Sequence, residues 1–140
     1  MEFFELKLIE KIGKVFACAM QEKRYNRYQF VQKWCSSETC QAIFEFDETL
    51  CSQAKSYILR TFENEYENDL PDIDDNSPLY EDDMYWLGYL LTYWHFSDGI
   101  TGKEILGKYD VCKALDEYDV LHTLSIKAAM DKIREDDKNE

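Results

Sequence analysis

One long helix is predicted over residues 79–99, LYEDDMYWLGYLLTYWHFSDG, and the expected fold class follows from it. Apolar residues recur in this stretch at spacings of three and four, which places them on one helix face: Leu87, Leu90, Leu91 and Trp94. We expect this helix to start near Leu79, to run to about Phe96 and to end at Gly99. Glycine readily adopts the left-handed conformation that follows a helix.

The chain before this helix shows the same period. A long first helix is predicted from about residue 3 to 23. Its apolar face is formed by Phe4, Leu8, Ile12, Val15, Phe16 and Ala19. Asn26 is expected to cap a second helix, and Ser36 or Ser37 a short third one, because side-chain oxygens accept hydrogen bonds from the amides at a helix start. A fourth helix is predicted over about residues 50–67.

The chain after the long helix continues in the same way. Thr101 and Glu104 form the T-x-x-E pattern of a capping box, which predicts a sixth helix. A short seventh helix is expected over about residues 111–118, Ser125 is expected to cap an eighth, and the polar tail from Arg134 is expected to fray. The predicted fold class is therefore all-α, a single compact domain of seven or eight helices that spans the 140 residues.

The two halves of the chain, residues 1–67 and 79–136, look alike on either side of an acidic connection, residues 68–78. The matched pairs are Gly13 with Gly88, Asn26 with Thr101, Phe30 with Ile105, Lys33 with Lys108 and Ala42 with Ala114. The pattern predicts a degenerate internal duplication, and chance similarity among amphipathic helices is the alternative. The connection itself, with two prolines and several acids, reads as a loop or a mobile segment.

The charge of the chain is concentrated in its centre. Between Arg60 and Lys103 there is no lysine or arginine, but eleven of the 29 acids lie there. This block accounts for most of the formal net charge of −13. Such a block favours a basic protein partner and repels nucleic-acid phosphates and anionic lipid, so we expect neither nucleic acid nor membrane as a partner.

The partner surface is predicted where these acids adjoin the tyrosines of the long helix. Exposed aromatic rings are favoured at the centres of interfaces, and one helix is not expected to bury all of these rings. The alternative is a wide apolar face packed between two layers of helices. The predicted partner-binding residues are Asp72, Asp74, Asp75, Tyr80, Glu81, Asp82, Asp83, Tyr85, Tyr89 and Tyr93.

No pattern of catalytic or cofactor-binding residues stands out, so we predict a protein without enzymatic activity, cofactor or bound metal. The two histidines, His95 and His122, lie far apart in the sequence and lack the spacing of zinc ligands. No glycine-rich phosphate loop is present. Residues 72–76 resemble the start of a calcium loop but lack its central glycine, and a solvated acidic loop is the alternative.

The location that the composition predicts is cytoplasmic. No apolar run approaches the length of a membrane span, and the first residues lack the pattern of a signal peptide. The five cysteines are odd in number, and in a reducing compartment they are expected to act as small apolar side chains rather than as disulfide partners.

The C-terminal half carries motifs that resemble a known family. YLLTY at 89–93, GITGKEI at 99–105, KYDV at 108–111 and YDVLHT at 118–123 occur in this order and spacing. Over about fifty residues the chain resembles a family of short bacterial helical proteins of unknown function, encoded beside ADP-ribosyltransferase-like toxins. The resemblance implies an antitoxin-like role and identifies no catalytic residue.

These observations together favour a non-enzymatic protein-binding module, an antitoxin-like or accessory partner that neutralises a bacterial toxin. Two alternatives stay open. One is a small enzyme or metal-dependent regulator that uses His95 and His122, and the other is an acidic mimic of DNA that blocks a DNA-binding protein.

Overall fold

The computed structural model describes residues 1–138, and within them the fold is all-α, as predicted. The helices are α1 (Phe3–Gln21), α2 (Arg27–Ser36), α3 (Glu38–Phe44), α4 (Glu48–Cys51), α5 (Lys55–Glu65), α6 (Glu81–Asp98), α7 (Gly102–Lys108), α8 (Val111–Asp116), α9 (Tyr118–Leu121) and α10 (Ile126–Lys138). A 3₁₀ turn over Ser77–Tyr80 precedes α6.

The described residues contain ten α-helices instead of seven or eight because two predicted helices are each divided. The helix predicted over residues 50–67 becomes α4 and α5. At this break the ammonium group of Lys11, on α1, donates to the carbonyls of Cys51 and Gln53 at 2.8 and 2.9 Å. The helix predicted over residues 111–118 becomes α8 and α9.

The longest helices, α1 and α6, form the most extensive helix–helix contact of the described residues. They run antiparallel, because the segment that follows α1 is hydrogen-bonded to the segment that precedes α6. Their backbones approach closely at Gly13 and Gly88. A Cβ on Gly13 would lie 3.0 Å from the carbonyl oxygen of Tyr85, and one on Gly88 would lie 3.0 Å from that of Ile12. A side chain at either position would press on the facing helix, so glycine permits this close approach.

The order of helices in the first half recurs in the second. α1 and α6 have 19 and 18 residues, α4 and α9 have 4 each, and α5 and α10 have 11 and 13. α5 packs on α1 as α10 packs on α6, and α2 contacts α7. The buried residues are Ile58, Leu59 and Phe62 on α5, and Ala129, Met130 and Ile133, at the same spacing, on α10. This order agrees with an internal duplication, which stays a prediction.

The core of the first half is aromatic. Phe16 on α1 contacts Phe30 and Trp34 on α2 edge-on, with ring centroids 5.0 and 5.5 Å apart. Phe62 on α5 closes the cluster at 5.0 Å from Phe30. The predicted apolar face of α1 is buried except for Phe4, which is 50% exposed and packs edge-on against Phe46.

The boundaries of α6 differ from the prediction at its start. Leu79 lies in the 3₁₀ turn and is 77% exposed, and the helix begins at Glu81. Pro78 lies in the first turn of this 3₁₀ segment, where its missing N–H is tolerated. The predicted end is confirmed, since Gly99 has φ 72° and its N–H donates to the carbonyl of His95.

The predicted helix starts are largely confirmed by their hydrogen bonds. Asn26 accepts from the N–H of Gln29, Ser37 rather than Ser36 accepts from Cys40, and Ser125 accepts from Ala128. The tail does not fray where predicted, because α10 continues past Arg134 to Lys138. The rest of that prediction falls on residues 139 and 140, outside the described residues.

The cysteines are free thiols, and all except Cys112 are buried. Burial raises the pKa of Cys35 to about 12 and that of Cys51 to about 11, as expected for thiols that serve as apolar side chains. Within residues 1–138 no helix is both long and apolar enough to cross a membrane.

Candidate partner-binding site

The acidic connection is fixed to the body of the protein and does not form the mobile segment that the sequence left open. The N–H of Asn26 donates to the carbonyl of Asp72, and that of Asp74 donates to Arg24, both at 2.7 Å. The buried hydroxyl of Ser77 donates to the carbonyl of Tyr25. These bonds join the turn after α1 to the segment before α6, so the acids between them have defined positions.

The three predicted acids of this connection each have a local contact. Gln29 pairs with Asp72 twice, since its amide donates to the carboxylate at 3.0 Å and its oxygen accepts from the backbone at 2.7 Å. The carboxylate of Asp74 accepts from the N–H of Asn76 at 3.0 Å. Asp75 lies 3.8 Å from Arg24 and is largely exposed. An exposed pair of this kind contributes little to stability.

Arg27 lies between the connection and α6 and contacts two aromatic rings and a carboxylate. Its guanidinium lies 3.5 Å from the ring centroid of Tyr80 and 4.5 Å from that of Tyr28, and 3.9 Å from the carboxylate of Asp116. Burial raises the pKa of Asp83 on the first turn of α6, and the positive charge of Arg27 opposes this shift. Tyr80 therefore packs against a cation of the same chain, which the sequence did not indicate.

A cleft of about 530 Å³ opens between α6 and the segment from α9 to the start of α10. We call it the α6 cleft. Its lining residues are Asp82, Tyr85, Trp86, Tyr89, Tyr118, His122, Leu124, Ser125 and Ile126. Three of the predicted partner-binding residues meet here, together with one of the two histidines.

The aromatic rings of the α6 cleft form two groups, one of His122, Tyr118 and Trp86 and the other of Tyr85 and Tyr89. His122 stacks on Tyr118 with centroids 4.3 Å apart and an interplanar angle of 11°. Trp86 meets the same Tyr118 edge-on at 5.6 Å, and Tyr85 lies 6.3 Å from Tyr89. The indole N–H of Trp86 is buried and has no acceptor among the described residues.

The orientation of His122 follows from one hydrogen bond. Its Nδ1 lies 2.7 Å from the carbonyl oxygen of Tyr118, one helical turn earlier. A carbonyl can only accept, so Nδ1 carries the hydrogen, and in the neutral ring Nε2 is an acceptor. The ring is thus held against Tyr118 on an exposed part of the chain.

The hydroxyls of the cleft are weak acids. Burial, reinforced by the carboxylates of Asp83, Asp82 and Asp119, raises the pKa of Tyr118. Burial also raises the pKa of Tyr85. The tyrosines therefore remain neutral at physiological pH, and the charge near the cleft comes from the carboxylates.

The remaining predicted residues lie outside the α6 cleft. Glu81 begins α6, and Tyr93 is half-buried and packs against the core. Sequence reasoning missed Trp86, Tyr118 and the residues at the start of α10. The spacing of four between Tyr118 and His122 is a local signal of their contact, but nothing local indicates that both lie against α6.

Several acids of the central block have partners within the chain. Glu63 accepts from the hydroxyl of Tyr25, Asp69 pairs with Lys33 at 2.8 Å, and Asp98 pairs with Arg134. Glu65 accepts from the N–H groups of Glu38 and Thr39 at 2.7 and 3.0 Å, which caps α3 from α5. These four carboxylates have structural contacts, and none of them is among the predicted partner-binding residues.

His95 lies in a different cleft, of about 290 Å³, and the two histidines are not brought together. Its Nδ1 and Nε2 lie 2.7 Å from the carbonyls of Ile100 and Phe44, and its ring stacks on Phe44 at 4.2 Å. Both nitrogens therefore contact backbone. Among residues 1–138 there is no group of three or more His, Cys, Asp or Glu side chains that could hold a metal ion.

No protein-family model, no curated protein and no solved structure matches this chain.

Proposed function

We propose that this chain is a non-enzymatic protein-binding module that takes a basic partner at the N-terminal end of α6. The partner would contact the anchored acidic connection and the acids of the first helical turn. In line with the resemblance of its C-terminal half, the proposed role is that of an antitoxin-like or accessory partner of a bacterial toxin.

The observation that carries the proposal is the anchoring of the acidic connection. Asp72, Asp74 and Asp75 are carried on backbone that is hydrogen-bonded to the turn between α1 and α2. A preformed acidic surface loses less conformational freedom on binding than a mobile acidic loop does. It also attracts a basic surface over a Debye length of about 8 Å at physiological ionic strength.

The placement of the histidines supports a binding role over a catalytic one. His95 has both ring nitrogens on backbone carbonyls, and His122 stacks on Tyr118 without a second histidine or a cysteine among the residues that line its cleft. A general base needs a free nitrogen within hydrogen-bond reach of a substrate, which the contacts of His95 do not leave, and the free Nε2 of His122 has no cysteine beside it to activate.

The test uses the product of the neighbouring gene as the candidate partner. Both proteins are purified, and association is followed by stopped-flow fluorescence at several salt concentrations. The triple variant Asp72→Asn, Asp74→Asn, Asp75→Asn should associate more slowly than wild type at low salt. The difference should shrink as salt rises, because screening removes steering.

The matched control removes the same charge elsewhere. Glu45, Glu48 and Glu135 are exposed acids outside the central block, and their replacement by Gln changes the net charge equally. The control should keep an on-rate close to that of wild type. Equal slowing by both triple variants would mean that net charge alone matters. An on-rate that the first variant leaves unchanged at low salt would contradict the proposal.

A further inference from the structure

The protein holds two of its own arginines in one recurring arrangement of an aromatic ring and a carboxylate. The guanidinium of Arg27 lies 3.5 Å from the ring of Tyr80 and is paired with Asp116. That of Arg134 lies 5.1 Å from the ring of Trp94 and is paired with Asp98. Ring faces attract a cation and a carboxylate neutralises it.

The α6 cleft offers the same elements without a cation among its lining residues. It combines four aromatic side chains and His122 with the exposed carboxylate of Asp82, and none of the residues that line it is a lysine or an arginine. The carboxylates of Asp83 and Asp119 are also near the cleft, since together with burial they raise the pKa of Tyr118. At about 530 Å³ the cleft is large enough for one long side chain with its backbone.

We propose that the α6 cleft binds an arginine side chain of the protein partner, with the guanidinium on the rings of Tyr85 and Tyr89 and paired with Asp82. The inference deepens the proposed function and rests on it. The proposed function requires only a basic surface on the partner, whereas this inference names one type of residue that the cleft recognises.

Arginine fits these features better than lysine or an apolar side chain. A guanidinium is planar, stacks on aromatic rings and is less strongly hydrated than an ammonium group, so it leaves water more readily. An apolar side chain would leave Asp82 without a counter-charge.

The experiment uses the full chain and a small probe, N-acetyl-arginine amide, in NMR titrations of the aromatic resonances. The probe should shift the signals of Tyr85, Tyr89 and Trp86 in a saturable way. The citrulline derivative has nearly the same shape without the charge and should bind about fivefold or more weakly, the factor that about 1 kcal/mol represents. The lysine derivative should also bind more weakly than arginine.

Two variants in the cleft, each with a matched control elsewhere on the surface, test whether the probe binds in the cleft. Asp82→Asn and Tyr85→Leu should each weaken the probe about fivefold. Glu48→Gln removes the same charge from an exposed site outside the cleft and outside the proposed acidic surface, and Tyr57→Leu removes a ring that is 49% exposed on α5. Both controls should bind the probe like wild type, and heteronuclear spectra report whether each variant is folded.

The outcomes distinguish this inference from the proposed function. Equal binding of the citrulline or lysine derivative, or equal weakening by Glu48→Gln and Asp82→Asn, overturns the arginine site. If the probe fails while the partner still depends on Asp72, Asp74 and Asp75, the inference is wrong and the proposed function stands. If the probe binds in the cleft but charge removal never slows a partner, the proposed function is wrong and the site stands.

Discussion

At the scale of single residues, Gly102 and Gly107 form an internal comparison because they lie in the same short helix with different surroundings. A Cβ on Gly102 would lie 2.4 Å from the carbonyl oxygen of Cys35, whereas one on Gly107 meets nothing within 4 Å. Gly102→Ala should therefore force α7 away from α2 and lower the free energy of unfolding by about 1–3 kcal/mol.

Gly107→Ala is the matched control for this prediction. Alanine loses less backbone freedom than glycine on folding, so this change should raise the free energy of unfolding by up to about 0.5–1 kcal/mol. Urea denaturation of both variants measures the two effects. Similar values for Gly102→Ala and Gly107→Ala would show that the contact between α2 and α7 is not tight.

The two histidines give a second comparison at this scale. His95 is partly buried, with both ring nitrogens on backbone carbonyls, while His122 is exposed with one such contact. His95→Gln should lower the free energy of unfolding by about 1–2 kcal/mol, because the partly buried ring loses its stacking on Phe44 and its fit between two carbonyls, and His122→Gln by less than about 0.5 kcal/mol.

Thermal and urea denaturation of the two histidine variants measure this difference. His122→Gln should also keep partner affinity within about a few-fold, since glutamine replaces one ring-nitrogen hydrogen bond. A folded His122→Gln variant that abolishes an activity present in the wild-type protein would instead indicate a catalytic histidine.

At the scale of secondary structure, the capping box before α7 makes a pH-dependent prediction. The N–H of Thr101 donates to the carboxylate of Glu104, and this bond lowers the pKa of Glu104. A lowered carboxyl pKa adds stability above the ordinary pKa of glutamate, and this stability is lost as pH falls through the lowered value. The difference between wild type and Glu104→Gln should therefore shrink below about pH 4.

The partner residue of the box gives a measurement at neutral pH. Thr101→Ala removes the oxygen that accepts from the N–H of Glu104 at 3.1 Å and should cost about 1 kcal/mol, whereas Thr101→Ser keeps that oxygen and should cost less. Chemical denaturation of both variants decides between them. An alanine variant as stable as the serine variant would show that the cap contributes nothing.

Helix starts were readable from the sequence because a cap is a contact between residues three apart. Asn26, Ser37 and Thr101 all make the predicted bonds. The break between α4 and α5 was not readable, since the carbonyls at that break are held by Lys11, forty residues away. Likewise the cap of α3 by Glu65 joins residues 26 and 27 apart. Local patterns carry no information about such contacts.

The candidate site likewise contains residues that the sequence indicates and residues that depend on tertiary packing. Tyr85 and Tyr89 were predicted because a single helix cannot bury rings on every side, and the structure leaves both half-buried at the cleft. Tyr118 and His122 come from the other side of the cleft, and their approach to α6 depends on how α9 and α10 pack. Tyr80 packs under Arg27, a contact between residues far apart in the sequence that no local pattern indicates.

At the scale of the whole molecule, the fold depends on the antiparallel pair of α1 and α6, one from each half. α1 buries Ile9, Ile12 and Phe16 completely, and α6 lies against it at the crossing of Gly13 and Gly88. A half of about 67 residues buries only about 60% of its unfolded surface even when it folds independently. Separated halves would also expose the apolar faces of their longest helices.

We therefore predict that residues 1–67 and residues 68–140, produced as separate fragments, each lack a cooperative unfolding transition, and that mixing them restores one. Near-ultraviolet circular dichroism reports the packing of Trp34 in the first fragment and Trp94 in the second, which are both buried in the intact chain. Gly88→Leu in the second fragment should prevent recovery, because its side chain would collide with Phe16 and the backbone of α1. If either fragment unfolds cooperatively alone, that half closes its own core, and its folding does not need the contact between α1 and α6.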